Sequence, residues 1–301
     1  MELSQVTMQE DGRERLRRPM IGKREQQSDP GAADEDTPYL IQASNLVVEY
    51  ERARDKTAPL VALQDFSLDV RPGEFVTIVG PSGCGKSTFL NVVAGLQVPT
   101  AGEVLIEGKP VTGPGPERAM VFQDYGLLPW RTVIKNVLFG LEMQGRVDSQ
   151  AHERVRHYIQ LVGLSGFEHA YPRELSGGMR QRVGLARALA IEPRILLMDE
   201  PFAAVDLITR ELMQDELARI IANTGKTVIF VTHSVDEAII LGDRLVVVSA
   251  RPGHVKKVVP VGLPRPRSER GLRSSLEYLS MREQVWEELA AEVRPGSGRM
   301  D

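Results

Sequence analysis

The chain has 301 residues, of which 42% are hydrophobic and 26% are charged, as is ordinary for a globular protein large enough to bury a sizeable core. Its formal net charge of −4 argues against a general nucleic-acid binder. No apolar run approaches the ~18 residues that a membrane span needs. The acidic N-terminal region predicts no secretory signal, and the lone Cys84 permits no internal disulfide, which suits a reducing cytosol.

The first part of the chain is predicted to be a tail followed by strands. Residues 1–38 are rich in Arg, Glu, Gln, Asp and Gly and lack a sustained apolar period. We therefore expect a mobile tail there, with a regulatory or partner-binding arm as the alternative. Structure is predicted to begin near Tyr39. The predicted strands of the first half are Leu40–Tyr50, Leu60–Val70, Phe75–Val79, Gly102–Lys109 and Ala119–Gln123.

A phosphate-binding loop is predicted directly after the strand Phe75–Val79. The pattern is a Gly, four free positions and then Gly-Lys-Ser, followed by an apolar helical segment, Phe89–Leu96. Its residues are Gly80, Pro81, Ser82, Gly83, Cys84, Gly85, Lys86, Ser87 and Thr88. Glycines let the backbone wrap closely around phosphates, and the helix adds the positive end of its dipole. We expect Lys86 to reach the β- and γ-phosphates and Ser87 to coordinate Mg²⁺, whereas the alternative is a glycine-rich turn that binds nothing.

The middle of the chain is predicted to be helical, and strands then alternate with helices. Apolar residues at helical spacing over about Tyr125–Leu175 predict a smaller inserted helical subdomain. The strands Ile195–Met198 and Thr227–Thr232, the latter expected to be the last strand of the core, are apolar throughout, which is typical of parallel strands covered on both faces. With helices predicted at Arg210–Ala222 and Val235–Leu241, this pattern indicates an α/β fold with a parallel core sheet.

A C-terminal helical extension is predicted over residues 264–301. The helix follows the prolines Pro264 and Pro266, and its apolar residues are expected to form one face that packs on the core. That face comprises Leu272, Leu276, Leu279, Trp286, Leu289 and Val293.

Two carboxylates end the strand Ile195–Met198. A strand end beside the phosphate loop is where a parallel sheet places its ligand. Asp199 is therefore a candidate for holding Mg²⁺, directly or through water, and Glu200 is a candidate for polarising an attacking water. Taken alone, a solvated acidic strand end would be the better interpretation.

A helix start rich in small residues lies at Ser176, Gly177 and Gly178. Ser176 is a suitable N-cap, and the two glycines would expose backbone N–H groups to an anion. The alternative is an ordinary capped helix with a flexible entry.

Together these motifs resemble those of the ATP-binding cassette family, from about Leu40 to Leu263. The segment Leu175–Met179 is similar to the family signature Leu-Ser-Gly-Gly-Gln. In chain order, the matching positions are Tyr50 for adenine stacking, the phosphate loop, Gln123, the signature, Asp199 and Glu200, Asp206, and His233. The resemblance implies a phosphate-loop ATPase domain over residues 39–263, in which an antiparallel β subdomain and the helical subdomain accompany the parallel core sheet.

The resemblance also implies a mechanism that needs two copies of the chain. ATP, with Mg²⁺, would lie between the phosphate loop of one copy and Ser176, Gly177 and Gly178 of the other, arranged head to tail. Gln123 would sense Mg²⁺ and the attacking water and link them to the helical subdomain. His233 would contact the γ-phosphate and act with Glu200 on the water, and Lys86 would stabilise charge on the phosphates.

Three positions depart from the family pattern or stand out within it. Val205 precedes Asp206 where Leu is usual, and Ser234 follows His233 where Asp is common. Both changes are mild, and we expect activity to be retained. Cys84 is expected to be a small filler in the phosphate loop, with redox control as the alternative.

Several stretches resemble the importers of nitrate, sulfonate and taurine. They are Pro81–Gly85, Thr112–Arg118, Leu127–Trp130 and Leu263–Arg267. This branch implies a peripheral ATPase subunit on the cytoplasmic face of the inner membrane, which drives separate permeases and depends indirectly on a solute-binding protein. Residues 125–130 would line a groove for a permease helix, and packing of Trp130 inside the chain is the equally weighted alternative.

Two other function classes compete with this interpretation. A soluble cassette ATPase acting on DNA or ribosomes usually has two fused cassettes or a long coiled coil, and the acidic balance of this chain disfavours it. A nucleotide-binding regulator that does not hydrolyse ATP is disfavoured because Glu200 and His233 are both present. The solute is not encoded in this chain, since permeases and a binding protein would select it.

Overall fold

The computed structural model describes residues 38–51, 59–203, 205–267 and 271–293. Its strands are β1 Ile41–Tyr50, β2 Leu60–Val70, β3 Phe75–Val79, β4 Ala101–Ile106, β5 Lys109–Pro110, β6 Arg118–Val121, β7 Ile195–Asp199, β8 Thr227–Thr232, β9 Arg244–Val248 and β10 Val255–Pro260. Its helices are α1 Lys86–Ala94, α2 Val133–Met143, α3 Ser149–Leu161, α4 Gly177–Ala190, α5 Leu207–Thr224, α6 Val235–Leu241 and α7 Leu276–Val293. The tail predicted over residues 1–38 lies outside the described residues, apart from its last position, and stays a prediction.

The larger sheet has six strands in the order β10-β9-β3-β8-β7-β6, and all neighbours are parallel except β10 and β9. Every residue of β3 and β8 is buried, which explains why these strands are apolar throughout rather than alternating. In the parallel register, Val79 lies opposite Thr232 and Asp199 lies opposite Val231. The segments that follow β3, β7 and β8 therefore leave the sheet at one common edge.

The smaller sheet is antiparallel, in the order β2-β1-β4-β5. Helix α1 packs between the two sheets, and its Phe89 lies against Phe66 of β2 with ring centroids 4.5 Å apart. Both rings are fully buried. Burial of two aromatic side chains at this point fixes the position of α1, and therefore of the loop that precedes it. The two sheets and the inserted helices confirm the predicted fold class.

The inserted helices are tied to the preceding loop by one buried amide. Asn136 of α2 accepts a hydrogen bond from the Leu128 backbone N–H at 2.8 Å. Its Nδ2 donates to the carbonyls of Leu128, Arg131 and Thr132 at 3.1, 2.9 and 3.1 Å. The loop is therefore held rigidly, while Trp130 at its tip is 72% exposed. Packing of Trp130 inside the chain, one of the two alternatives, is wrong.

Several predicted elements differ from those observed. The strand predicted over Gly102–Lys109 is a hairpin, because Glu107 and Gly108 both have positive φ and turn the chain between β4 and β5. Helix α1 begins at Lys86 rather than near Phe89, since Gly85 in the left-handed conformation starts the helix earlier. The segment Thr227–Thr232 is not the last strand of the core, because β9 pairs with β3 on the side away from β8.

The predicted core-facing side of the C-terminal helix is only partly right. Leu272 and Leu289 pack against the core as predicted. The exposed members of the predicted face are Leu276, Leu279 and Trp286. The buried side chains of α7 are instead Tyr278 and Val285, which lie two turns apart. Polar contacts decide this orientation, because the Tyr278 hydroxyl donates to Asp236 of α6 at 2.6 Å. Among the described residues, no helix is both long enough and apolar enough to cross a bilayer.

Arg267 is a buried cation that holds the segment leading to α7. It donates to the carbonyls of Leu263 and Val261, both at 3.0 Å, of Ile239 at 3.2 Å, and of Gly242. Burial lowers its pKa to about 10, so the side chain remains charged at neutral pH. The guanidinium supplies the donors for four carbonyls where α6 and β10 end.

Replacing Arg267 with Met is expected to lower the free energy of unfolding by about 2–4 kcal/mol, because buried carbonyls lose their donors. Urea unfolding followed by circular dichroism measures the change. Arg156→Met, on the exposed face of α3, serves as the control and should shift stability by no more than ~0.5 kcal/mol. Equal stabilities of the two variants would contradict the assigned role.

Candidate functional site

The predicted phosphate loop connects β3 to α1 at the common edge of the larger sheet. Gly85 immediately precedes α1 with a φ of 104°, which side chains rarely adopt. A Cβ atom at this position would lie 2.5 Å from Leu63 Cδ2 and 2.8 Å from the Ala62 carbonyl oxygen. Glycine is required here for both the backbone conformation and the close approach of β2.

Lys86 is buried inside the phosphate loop. Its Nζ donates to the carbonyls of Gly80 at 2.9 Å and Pro81 at 3.0 Å. An ammonium group has three donors, so one further hydrogen bond is possible without breaking these two. The loop thus carries a fixed positive charge at the start of α1, where the helix dipole also favours an anion.

Ser87 and Asp199 meet across the sheet edge. The Ser87 hydroxyl donates to Asp199 Oδ1 at 3.0 Å. Burial raises the pKa of Asp199, the Ser87 hydrogen bond lowers it, and the neighbouring Glu200 raises it. The sequence assigned both residues to metal binding, and the structure brings their oxygen atoms together.

Glu200 and His233 form a second pair at the same edge. His233 Nδ1 lies 3.2 Å from Glu200 Oε2. Glu200 has a φ of 45°, and its backbone N–H donates to the Val231 carbonyl at 3.0 Å, which fixes its position relative to β8. His233 is exposed, whereas Glu200 is only partly so. The predicted catalytic carboxylate and imidazole are therefore in contact.

Gln123 follows β6 at the same edge, because β6 runs parallel to β7 with Val121 opposite Met198. Its side chain is exposed. The adjoining turn is anchored to α4 by Arg187, which donates to the carbonyls of Tyr125 at 2.7 Å and Gly126 at 2.6 Å. This anchor connects the segment after Gln123 to the inserted helices.

Tyr50 ends β1 next to the phosphate loop. Its hydroxyl lies 3.3 Å from Thr88 Oγ1 and donates to Gln97 Oε1 at 3.0 Å. The aromatic ring assigned to adenine stacking is thus tied to the last residue of the predicted loop.

Ser176 and Asp206 are exposed helix caps. Ser176 Oγ accepts from the Met179 N–H at 3.3 Å at the start of α4, and Gly177 and Gly178 are the first residues of that helix. Asp206 Oδ1 accepts from the Thr209 N–H at 3.1 Å at the start of α5, and this bond lowers the pKa of Asp206. Among the described contacts, each of these two side chains caps its own helix. Within the described part of the chain, neither contacts the phosphate loop of the same copy, so a nucleotide bound there would reach them only from a second copy.

Cys84 is buried under the phosphate loop. A Cβ atom on Gly80 would lie 2.9 Å from its sulfur, so the thiol fills the space beneath that residue. Burial raises the pKa of Cys84. Both observations favour a packing role over a reactive thiolate.

A buried carboxylate behind His233 was not identified from the sequence. Glu237 of α6 accepts hydrogen bonds from Thr232 Oγ1 at 2.5 Å and from Gln214 Nε2 of α5 at 3.2 Å. Burial raises the pKa of Glu237. Thr232 Oγ1 also accepts from the Ser234 N–H at 3.0 Å, so this network positions the segment that carries His233. The available signal was an acid in the first turn after a histidine, which is usual for a helix start.

Comparison with known proteins places this geometry in a family. Residues 63–203 match the family model described as ABC transporter. An uncharacterised ABC transporter ATP-binding protein of Methanocaldococcus jannaschii is 53% identical over 232 residues, which cover 77% of this chain and 85% of the relative. The taurine import ATP-binding protein TauB of Yersinia pestis is 46% identical over 250 residues, covering 82% and 95%.

A solved structure supports the same assignment. The ATP-binding cassette MJ0796, in a dimeric post-hydrolysis state bound to ADP and Pi, superposes with a TM-score of 0.66 at 32% identity. The match covers 74% of this chain and all of that one. The similarity therefore extends over a complete ATP-binding cassette.

Replacing Gly85 with Ala is expected to lower ATP affinity about 10-fold or more, because the new Cβ would strain the backbone and displace the loop from β2. Titration with a fluorescent ATP analogue measures this. Gly108→Ala is the matched control: its φ of +72° is also unfavourable for a side chain, but nothing lies within 4 Å of the new Cβ. It should leave ATP affinity within about 2-fold of the native value, and a similar loss in both variants would refute the steric explanation.

Proposed function

Because this chain belongs to the ABC transporter family, as one of its ATP-binding proteins, we propose that it is the subunit that hydrolyses ATP to drive an importer of a small solute of the nitrate, sulfonate or taurine type. The observation that carries the proposal is the juxtaposition of two pairs at one sheet edge. Glu200 and His233 lie 3.2 Å apart, and Ser87 and Asp199 lie 3.0 Å apart. Both pairs adjoin a glycine-rich loop that holds a buried lysine.

This solute class is supported by similarity to a taurine importer subunit. TauB of Yersinia pestis is similar to 82% of this chain at 46% identity. The four stretches that resemble the nitrate, sulfonate and taurine branch agree with this similarity. Solute selection itself belongs to the permease and to a solute-binding protein, which we propose as the other components of the importer.

The oxygen donors present suit Mg²⁺. The Ser87 hydroxyl and the Asp199 carboxylate already lie within hydrogen-bond distance, and hydroxyl and carboxylate oxygens are ligands that this hard cation accepts. Ser87, Asp199 and Gln123 would hold the ion, which would neutralise charge on the β- and γ-phosphates when bound. Burial raises the pKa of Asp199, and a cation next to this carboxylate would lower that pKa.

The residues of this chain would perform the hydrolysis by positioning. Glu200 would accept a hydrogen bond from the attacking water and orient it towards the γ-phosphate. His233 holds Glu200 through Nδ1 and would use Nε2 to contact the γ-phosphate. Lys86 would place its remaining donor on the β- and γ-phosphates. Little covalent work is required of the protein, because phosphoryl transfer depends mainly on position and charge.

Dimerisation completes the site. A related cassette is dimeric in its post-hydrolysis state. In the proposed head-to-tail arrangement, the exposed Ser176 and the half-buried Gly177 and Gly178 of one copy would face the phosphate loop of the other. The start of α4 would then offer its N–H groups and the positive end of its dipole to the γ-phosphate. In this arrangement Ser176 and Asp206 would lie next to the nucleotide bound by the other copy, which they do not reach within a single chain.

The membrane partner would contact the rigid loop before α2. Asn136 fixes that loop from inside, and Trp130 is exposed at its tip. An aromatic side chain on a rigid loop is a typical anchor for a partner protein. We propose that the permease binds here, on the cytoplasmic face of the inner membrane, and that Arg187 relays changes at Gln123 to this surface.

Replacing Glu200 with Gln is expected to leave ATP binding within about 3-fold of the native affinity and to lower the rate of hydrolysis by about 10²–10⁴-fold, because the amide cannot accept a proton from water. Phosphate release measures the rate, and equilibrium titration with ATP measures the affinity.

Glu153→Gln on α3 removes an exposed carboxylate away from the site and serves as the control, with hydrolysis expected to remain unchanged. If the Glu200→Gln variant hydrolyses ATP at the native rate, Glu200 is not the group that activates water.

A further inference from the structure

The C-terminal helix forms one wall of an apolar cavity beside the phosphate loop. The cavity has a volume of about 420 Å³. Its lining residues are Gly80, Pro81, Ser82, His233, Trp286, Leu289 and Ala290. Trp286 of α7 is 64% exposed. The cavity thus combines an aromatic wall from α7 with the two segments that the proposed mechanism places next to the γ-phosphate.

Helix α7 is fixed at both ends, so Trp286 projects from a rigid support. Near its start, Asp236 of α6 accepts from Tyr278 at 2.6 Å and from Arg282 at 2.9 Å. Near its end, Glu292 accepts from the Ala250 backbone N–H at 2.8 Å. Such anchoring holds the indole in position before any partner arrives, which reduces the entropy lost on docking.

A second apolar patch surrounds the start of α5. Leu207, Ile208 and Leu212 are 68%, 74% and 61% exposed. At 3.6 residues per turn they lie within an arc of about 140°, so they form one side of the helix. Three exposed aliphatic side chains on one helix face are more than the scattered apolar residues of an ordinary surface.

This patch lies beside the signature segment. A Cβ atom on Gly178 would lie 3.3 Å from Thr209 Cγ2 and 3.8 Å from Met213 Sδ, both on α5. The starts of α4 and α5 are therefore packed together and move as one surface. Wherever Ser176 and Gly177 approach a partner, the patch around Ile208 approaches it too.

We propose that the patch of Leu207, Ile208 and Leu212 docks into the cavity formed by Trp286 and the phosphate loop of a second copy of this chain. The inference rests on the proposed head-to-tail dimer, in which the start of α4 faces the partner's phosphate loop. The neighbouring start of α5 is then brought to the rim where Trp286 stands. A two-fold axis repeats the contact, so each chain donates one patch and one cavity.

The pairing makes α7 part of the contact between the two copies. Aliphatic side chains against an anchored tryptophan form the type of buried cluster that dominates interface energetics. Because His233 and Ser82 line the same cavity, docking of the patch would also exclude water from the neighbourhood of the γ-phosphate. Closure of the dimer and completion of the site would thereby be linked.

Cysteine cross-linking tests the contact directly. Two full-length chains are prepared, both with Glu200→Gln so that they retain ATP. One carries Ile208→Cys, and the other carries Trp286→Cys and a tag of different length. The two chains are mixed and treated with a short bifunctional maleimide. The native Cys84 is buried, and each chain alone controls for its reaction. An adduct between the two chains is expected with ATP and not without it. Trp130→Cys, at a similarly exposed position in the loop before α2, should give no adduct with Ile208→Cys.

Loss of the indole provides a second measurement. In the Glu200→Gln background, Trp286→Ala is expected to raise the concentration for half-maximal ATP-dependent dimerisation by about 10-fold or more, measured by sedimentation. Trp130→Ala should leave it unchanged. Ile208→Ala should act in the same direction as Trp286→Ala, and the double variant should add less than the sum of the two effects because the side chains share one contact.

The outcomes separate this inference from the proposed function. ATP-dependent dimers that form no 208–286 adduct and tolerate Trp286→Ala would overturn the docking while leaving the ATPase assignment intact. Chains that neither hydrolyse ATP nor dimerise with it would overturn the proposed function and the inference together. A third outcome is that the cysteine of the Trp286→Cys variant is protected from the maleimide in the ATP-free monomer, and that deletion of residues 1–37 removes this protection. That result would assign the cavity to the chain's own N-terminal segment and overturn the docking.

Discussion

The parallel register of β3, β7 and β8 is the constraint on which the candidate site depends. These strands end at nearly the same level of the sheet, so short segments after them are enough to bring their residues together. Ser87, Asp199 and Glu200 are consequently brought together by backbone pairing rather than by loop flexibility. A shift of one residue in any of these pairings would move a strand-end side chain to the opposite face of the sheet. Apolar burial on both faces of β3 and β8 prevents such a shift, because it would have to repack the whole core.

A second layer of polar contacts holds the exposed residues that the sheet alone cannot position. Glu237 joins Gln214 of α5 to Thr232 at the end of β8, in a buried network directly behind His233. Since Asp206 caps the start of α5, the network connects the two ends of a surface that the proposed dimer would cover. A carboxylate whose pKa is raised by burial is costly to keep ionised, so its hydrogen bonds from Thr232 and Gln214 are needed to hold it in place.

The sequence predicted the parts of the site that are contiguous in the chain, and the reason is physical. A strand, a glycine-rich loop and a helix with one lysine specify a phosphate loop by local geometry, and the apolar strand before Asp199 and Glu200 is equally local. The orientation of α7 was not predictable in this way. Its apolar residues encircle much of the helix, and distant polar partners such as Asp236 decide which of them face the core. Glu237 was not identified from the sequence for the same reason, since only the fold shows that this side chain is buried.

The exposed surface of the monomer explains why the triphosphate controls assembly in the proposed mechanism. One copy presents helix starts at Ser176 and Asp206 together with the aliphatic patch on α5, and the other presents a cationic loop and an apolar cavity. The proposed apolar contact involves no nucleotide atoms, so its strength would be the same whether the bound nucleotide is ATP or ADP. A ligand shifts an equilibrium only through its different affinity for the two states. The γ-phosphate supplies that difference, because its contacts would come from Lys86 of one copy and the α4 helix start of the other. Hydrolysis would remove those bridging contacts and leave the apolar contact too weak to hold the dimer closed, which is the change that a permease bound at Trp130 would sense.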